Sequence, residues 1–350
     1  MIPAGSLEDA AALEAGDPGG MLRLVASGAA HLRQAARLAE EAGLAEALRG
    51  AGRPRSVVVA GPGEAGEIVA AVCGLGCPVP VLSLTGRRLP GWVGAADLVF
   101  ALGDAAFDLA EQGVRRGASV VGVGPADARL AQLAVQNRAL YLPMPPGGPV
   151  RAMVWAQVVP MLLVLRGLRL VSLPDEVLES TALLMEDLIH RCRPAAEPFL
   201  HPGKQPALEL AGSLPMPWGQ TPVELAAASR LAAQLGDNAK VPGARAQIGA
   251  LDGRPAEADP DDFFRDRAEE EESRLHPVVL LEEGGVSPVA EVARARGLPV
   301  TEIRAEGEHA LERIASLIVI CDYVSVYLAL ALGVDPTPVP ARAELTARIS

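Results

Sequence analysis

With 350 residues, half of them hydrophobic but only 3% aromatic, the chain is long enough for two ordinary domains, with cores built from Ala, Val and Leu. A formal net charge of −12 and a pI near 5.0 argue against nucleic acid or an anionic membrane as partner, because both need basic patches. The start "MIPAGSLEDAAALEAGD" has neither a basic leader nor an apolar core, and four cysteines are few, so a reduced, cytoplasmic protein is expected.

Leu, Ala and Val recur at three- and four-residue steps over 21–50, which predicts a helix or helix pair. Strands and helices then alternate. "SVVVA" (56–60), "PVPVLSL" (78–84), "DLVFAL" (97–102), "SVVGVG" (119–124) and "ALYLPM" (139–144) read as strands, with helices at 65–75, 104–117, 127–137 and 151–168. Short apolar strands bounded by Gly and Pro, with helices between them, predict an α/β fold whose parallel sheet is covered on both faces. A linker near 169–176 leads to a helix at 175–192, and the Pro-rich stretch 193–206 reads as irregular. The alternation resumes with "LPMPWG" (214–219), a helix at 222–235, "HPVVLLEE" (276–283), a helix at 286–296, "PVTEIRA" (299–305) and a long helix near 308–332.

Two apolar runs test the membrane alternative. "AMVWAQVVPMLLVL" (152–165) is short and interrupted by Gln157 and Pro160, whereas "IASLIVICDYVSVYLALALGV" (314–334) is long enough but carries Asp322, Ser316 and Ser325. A buried core helix is the expectation. The acidic run 257–274 reads as a solvated face, and Cys73 and Cys77, one turn apart with no His or third Cys nearby, do not make a zinc site. Neither a metal nor a cofactor is expected.

"GPGEAG" (61–66) follows a strand, opens a helix and fits G-x-G-x-x-G. A dinucleotide turn should be followed about twenty residues on by an acid for the ribose hydroxyls. Here the next strand ends in "TGRR", and Arg87 with Arg88 would suit a 2′-phosphate instead, so an NADP-linked enzyme is one reading of these residues. The second half, another open α/β unit without a recognisable dehydrogenase dyad, tells against it.

Other segments carry a more specific signal. "RRGASVVGVGPADARLAQLA" (115–134), "LPMPPGGPVRAMVWAQVVPMLLVLRGLRLV" (142–171), "LGDNAKVPG" (235–243) and "EGEHALERIASLIVICDYVSVYLALALGVDPTP" (306–338) together resemble, in order, the bifunctional phosphoglucose/phosphomannose isomerase family of tandem sugar isomerase (SIS) domains. The resemblance implies two SIS domains, over 21–170 and 171–350, each a parallel sheet flanked by helices. It also implies a homodimer, a sugar phosphate or related derivative as ligand, and a cleft between the domains.

The family's mechanism opens the ring, moves a proton between C1 and C2 with a Glu, and stabilises the enediolate with an Arg. The Arg position is Arg151, and the base position is Asp237, one methylene short of Glu. Gly61, Gly63, Glu64 and Ala65 fall in the first sugar-phosphate loop, with Ala65 where the family has Ser. Gly103 and Asp104 fall in the second loop, which has lost its hydroxyls, and Asn238 and Lys240 follow the base. Asp104 would set a carboxylate where a phosphate belongs. The family's His falls near Gly253 and its C-terminal Lys near Thr346, with His309 and Lys240 the nearest replacements. The scaffold is kept and the chemistry thinned, so these residues leave open both a weakened isomerase and a non-catalytic module that binds a sugar derivative.

Overall fold

The computed structural model describes residues 7–61, 63–196, 201–243, 251, 275–282, 284–285 and 287–349. The acidic run 257–274 and Gly253 lie outside them. The chain divides into two compact units, one of Leu24–Glu186 with Gly307–Ala315, the other of Met1–Arg23, Asp187–Glu306 and Ser316–Ser350.

The first unit is built on β1 (Val57–Ala60), β2 (Val81–Leu84), β3 (Leu98–Leu102), β4 (Ser119–Gly124) and β5 (Leu140–Pro143). All pairings are parallel, in the order β2-β1-β3-β4-β5. In register, Val58 sits between Leu82 and Val99. The central strands β1 and β3 are buried throughout, which is why they read as unbroken apolar runs; β2, at the edge, is half exposed.

Alternation along the strands sends Val58, Ala60, Val99, Ala101 and Val120 to one face. There they pack on Leu109 and Ala110 of α6 (Phe107–Arg115) and Leu130 of α7 (Arg129–Asn137). Each such Val is worth about 1.5–3 kcal/mol. Helices α3 (Gly28–Glu41), α5 (Gly63–Cys73) and α8 (Val154–Gly167) complete the unit, with α8 packed against α3, α5 and β4. Pro160 sits inside α8 without ending it.

The second unit carries β6 (Leu214–Trp218), β7 (Leu275–Leu281) and β8 (Thr301–Arg304), parallel in the order β6-β7-β8. Pro215 and Pro217 lack the N–H for a second ladder, and β6 lies at the sheet's edge, where prolines belong. Helix α11 (Pro222–Gln234) opens with a capping box, in which the Thr221 hydroxyl accepts from Glu224 N–H and the Glu224 carboxylate accepts from Thr221 N–H.

The long apolar helix α13 (Ala310–Ala331) could cross a membrane by length and composition, but 94% of its most apolar window is buried inside the protein. Its Asp322 has a partner: both carboxylate oxygens accept from Arg230, at 2.9 Å each, and Arg230 is 1% exposed.

The stretch expected to be irregular over 193–206 departs from that reading at its end. Helix α10 (Lys204–Leu210) begins inside it, with Pro206 in the first turn, where no N–H is missed. The residues around its start, with Tyr327 of α13, satisfy carbonyls of the stretch that follows α9 (Asp175–Arg191). Tyr327 Oη donates to Cys192 O at 2.7 Å, His201 Nε2 pairs with Arg193 O, and the buried Lys204 Nζ donates to Pro194 O and Ala196 O. Burial pushes the His201 imidazole down to about 4. A C-terminal helix, α14 (Pro340–Ile349), and the short α1 (Ala10–Gly16), capped by Asp9, were not legible as elements from periodicity.

Candidate functional site

In the first unit the strand order reverses between β1 and β3, because β1 is followed by a neighbour on one side and β3 lies on the other. In open parallel sheets ligands bind at the carboxyl ends of the strands flanking this point. Gly61 and Gly103 are the residues that follow β1 and β3.

Gly61 has φ of 143°, and a Cβ there would lie 2.6 Å from Leu102 Cβ, so only glycine lets the two strand ends approach. Gly63 and Glu64 open α5. Gly66 has a packing role: its added Cβ would come within 2.9 Å of Ser83 Cβ, so the missing side chain seats α5 against β2. Ala65 is 2% exposed and belongs to the core of α5. Ser83 Oγ donates to Gly63 O at 3.0 Å, tying the loop to β2.

Asp104 has a task of its own. Its carboxylate accepts from Leu130 N–H at 2.9 Å and from Arg129 N–H at 3.3 Å. These are orphan donors of the first turn of α7, so the protein supplies its own anion to that helix start. Arg151 lies in a 3-10 turn (Val150–Ala152) between β5 and α8, half-buried. Gln157 of α8 holds that turn by donating to Val150 O at 3.2 Å. His309, considered above as a replacement acid–base group, has both ring nitrogens engaged: Nδ1 accepts from Leu311 N–H and Nε2 pairs with Ser172 O. A cavity of about 440 Å³ opens at the opposite, amino-terminal edge of the sheet, against Leu98, Ser119 and Leu140. It is the wrong edge for the switch-point chemistry.

In the second unit, Asp237 and Asn238 occupy a π-helical turn, Leu235–Ala239, at the end of α11. Lys240 follows in the left-handed region, with φ of 59°. π-turns and non-glycine left-handed residues are uncommon and cluster at functional sites. The Lys240 ammonium donates to Asp237 O and Asn238 O. Asn238 is 1% exposed; its Nδ2 donates to Gln234 Oε1 at 3.1 Å and to Ser325 Oγ at 2.9 Å, fastening the turn to α13. Asn238 and Lys240 therefore shape the turn that presents Asp237.

The Asp237 carboxylate is largely buried, and Oδ1 pairs with Arg342 Nη2 of α14 at 2.7 Å. Sequence reasoning missed Arg342. The signal was present: position 342 is one helical turn before Thr346, where the family's Lys falls, but the tail had not been read as a helix.

The comparisons with known proteins agree with this architecture. Residues 199–349 match the family described as bacterial phospho-glucose isomerase C-terminal SIS domain. The chain is 24% identical over 276 residues to the bifunctional phosphoglucose/phosphomannose isomerase of Caldicellulosiruptor bescii, covering 75% of this chain and 79% of that protein. Residues 199–349 thus match a sugar isomerase (SIS) domain of the bacterial phospho-glucose isomerase type, and three quarters of the chain is similar to a phosphoglucose/phosphomannose isomerase.

Among solved structures, a glucose-6-phosphate isomerase like protein from Thermus thermophilus aligns with a TM-score of 0.53 and 20% identity, over 90% of this chain and 97% of that one. The C-terminal domain of glucosamine-fructose-6-phosphate aminotransferase from Francisella tularensis aligns with a TM-score of 0.61 and 10% identity, over 91% and 98%. These two likenesses concern the fold alone.

Proposed function

We propose that this chain binds a carbohydrate derivative as a divergent member of the glucose/mannose 6-phosphate to fructose 6-phosphate type of isomerase, with degraded catalytic and phosphate-binding motifs. The observation that carries the reading is the pair of loops at Gly61 and Gly103, set on either side of the strand-order reversal. On this reading 21–170 and 171–350 are tandem SIS modules, Asp237 is the carboxylate that takes the proton, and Arg151 is the cation that steadies the enediolate. The protein works as a cytoplasmic homodimer, and sedimentation at micromolar concentration checks the dimer.

The alternative, a non-catalytic module that senses a sugar derivative, draws support from two contacts. Asp104 is committed to the start of α7, and Asp237 is paired with Arg342. On this reading both carboxylates are engaged by the protein itself, rather than left to handle a phosphate or a substrate proton.

Incubation with glucose 6-phosphate, mannose 6-phosphate and fructose 6-phosphate in D₂O tests the proposal. Deuterium at C1 or C2 reports proton abstraction even where net turnover is slow. Exchange should be at least about 1,000-fold below an ordinary isomerase, since a displaced base costs on the order of 100-fold and a missing acid–base partner about another 100-fold. Residual exchange should vanish in Asp237→Asn and fall nearly as far in Arg151→Ala. Exchange at an ordinary rate would refute the degraded-motif reading; saturable sugar binding with no exchange would establish the non-catalytic one.

A further inference from the structure

At the end of α5 opposite the glycine loop, the sequence runs Cys73-Gly-Leu-Gly-Cys77. Cys73 is the last residue of the helix. Gly74 then turns the chain in the left-handed region, with φ of 63°; its N–H donates to Ala70 O, and Cys77 N–H donates back to Gly74 O at 3.3 Å. The turn sets both cysteines on one cavity of about 420 Å³, which they line together with Ala70, Pro78 and Val81. Both thiols are free in this structure.

Three features fit this pair to chemistry between the two sulfurs. Leu75, at the tip, is 98% exposed, and a side chain at Gly76 would meet nothing within 4 Å, so the turn has room to adjust to disulfide geometry. Cys77 is half-exposed and open to a reagent, whereas Cys73 is buried behind it. Among the described residues, those that line the cavity with the two cysteines are apolar or glycine.

We propose that Cys73 and Cys77 are a dithiol modification site that closes reversibly to a disulfide under hydrogen peroxide. Cys77, as thiolate, attacks the peroxide O–O bond and becomes a sulfenic acid, releasing water once the leaving oxygen is protonated. Cys73 sulfur then attacks the Cys77 sulfur, its proton leaves with the sulfenic hydroxyl as a second water, and the S–S bond forms. Two thiols are oxidised and one peroxide is reduced to two waters. Burial, with the neighbouring Cys77 sulfur adding to it, pushes the Cys73 thiol up to about 12, so the second step is slow and requires the proximity that the turn provides.

The test treats the full chain with hydrogen peroxide, alkylates remaining thiols with iodoacetamide and maps tryptic peptides. Cys73 and Cys77 share one peptide, Ser56–Arg87, which should be recovered unalkylated and lighter by two hydrogens than its dithiol form, and restored by dithiothreitol. Cys192 and Cys321, fully buried, should be alkylated only after denaturation and serve as the internal reference. In Cys73→Ser, Cys77 should persist as a sulfenic acid that dimedone labels. Recovery of the dithiol after peroxide, or of Cys77 as sulfinic or sulfonic acid with Cys73 still alkylatable, would overturn the proposal.

Discussion

Replacing Asp104 separates two effects that one carboxylate produces. In Asp104→Ala the donors of Arg129 and Leu130, now bonded at 3.3 and 2.9 Å, lose their acceptor. Asp104 is solvent-exposed, and one of its two bonds is long, so the loss should sit near the middle of the range for helix caps, about 1 kcal/mol. In a unit of this size that lowers the melting temperature by about 2–4 °C. Asp104→Asn keeps an oxygen for the same N–H groups and should melt close to the parent, since Asn and Asp cap comparably. Both variants remove a negative charge beside the loop after β3. If a phosphate binds roughly 6 Å away, the relief is about 0.7 kcal/mol in bulk-water dielectric and about 2.8 kcal/mol at the lower dielectric of a protein surface. Affinity for glucose 6-phosphate by calorimetry should then rise by at least about threefold in both. An unchanged melting temperature in the Ala variant would refute the capping role. A melting shift without any gain in affinity would show that the carboxylate is not what excludes the anion.

The buried pair of Arg230 and Asp322 gives a second prediction. Asp322→Ala leaves a guanidinium that is 1% exposed without its bidentate partner and should cost about 3–5 kcal/mol in urea unfolding, whereas Arg230→Met with Asp322→Leu should recover most of it; equal losses in the single and double variants would argue against the pair. A third concerns pH. His201 is held neutral by burial, its folded-state value about 4 against an ordinary 6.5, so the unfolded chain binds the extra proton between those values. Stability should be complete above pH 6.5 and decline toward pH 4, by at most about 1.4 kcal/mol per pH unit from this group, and His201→Gln should be less stable but flatter over that window. An unchanged slope would mean that the ring titrates normally.

Much of this molecule follows from local chemistry that the sequence alone determines. The runs VVVA, LVFAL and SVVGVG could only be strands buried on both faces, and their spacing with amphipathic helices between them dictated a parallel sheet. The glycines of 61–66 marked a strand-to-helix loop before its ligand class could be argued. The capping box of α11 is a signal that sequence reasoning missed: Thr221 precedes the helix and Glu224 stands three residues on, in its first turn. The helix at 340–349 was obscured because its residues carry little apolar periodicity.

The tertiary structure decided which polar groups are spoken for, and that is a matter of partners far apart in the chain. Asp104 reads as an anion facing a phosphate until α7, twenty-five residues on, is seen to offer its N–H groups. Asp322 reads as a flaw in an apolar helix until Arg230, ninety-two residues earlier, meets it. Asp237 reads as a base one methylene short until Arg342 is found 2.7 Å away, and Asn238 as a ligand group until Ser325 and Gln234 take its amide. Periodicity reports which face of an element is buried. It carries no information about which distant side chain completes a buried charge, because that pairing is set only when the elements pack.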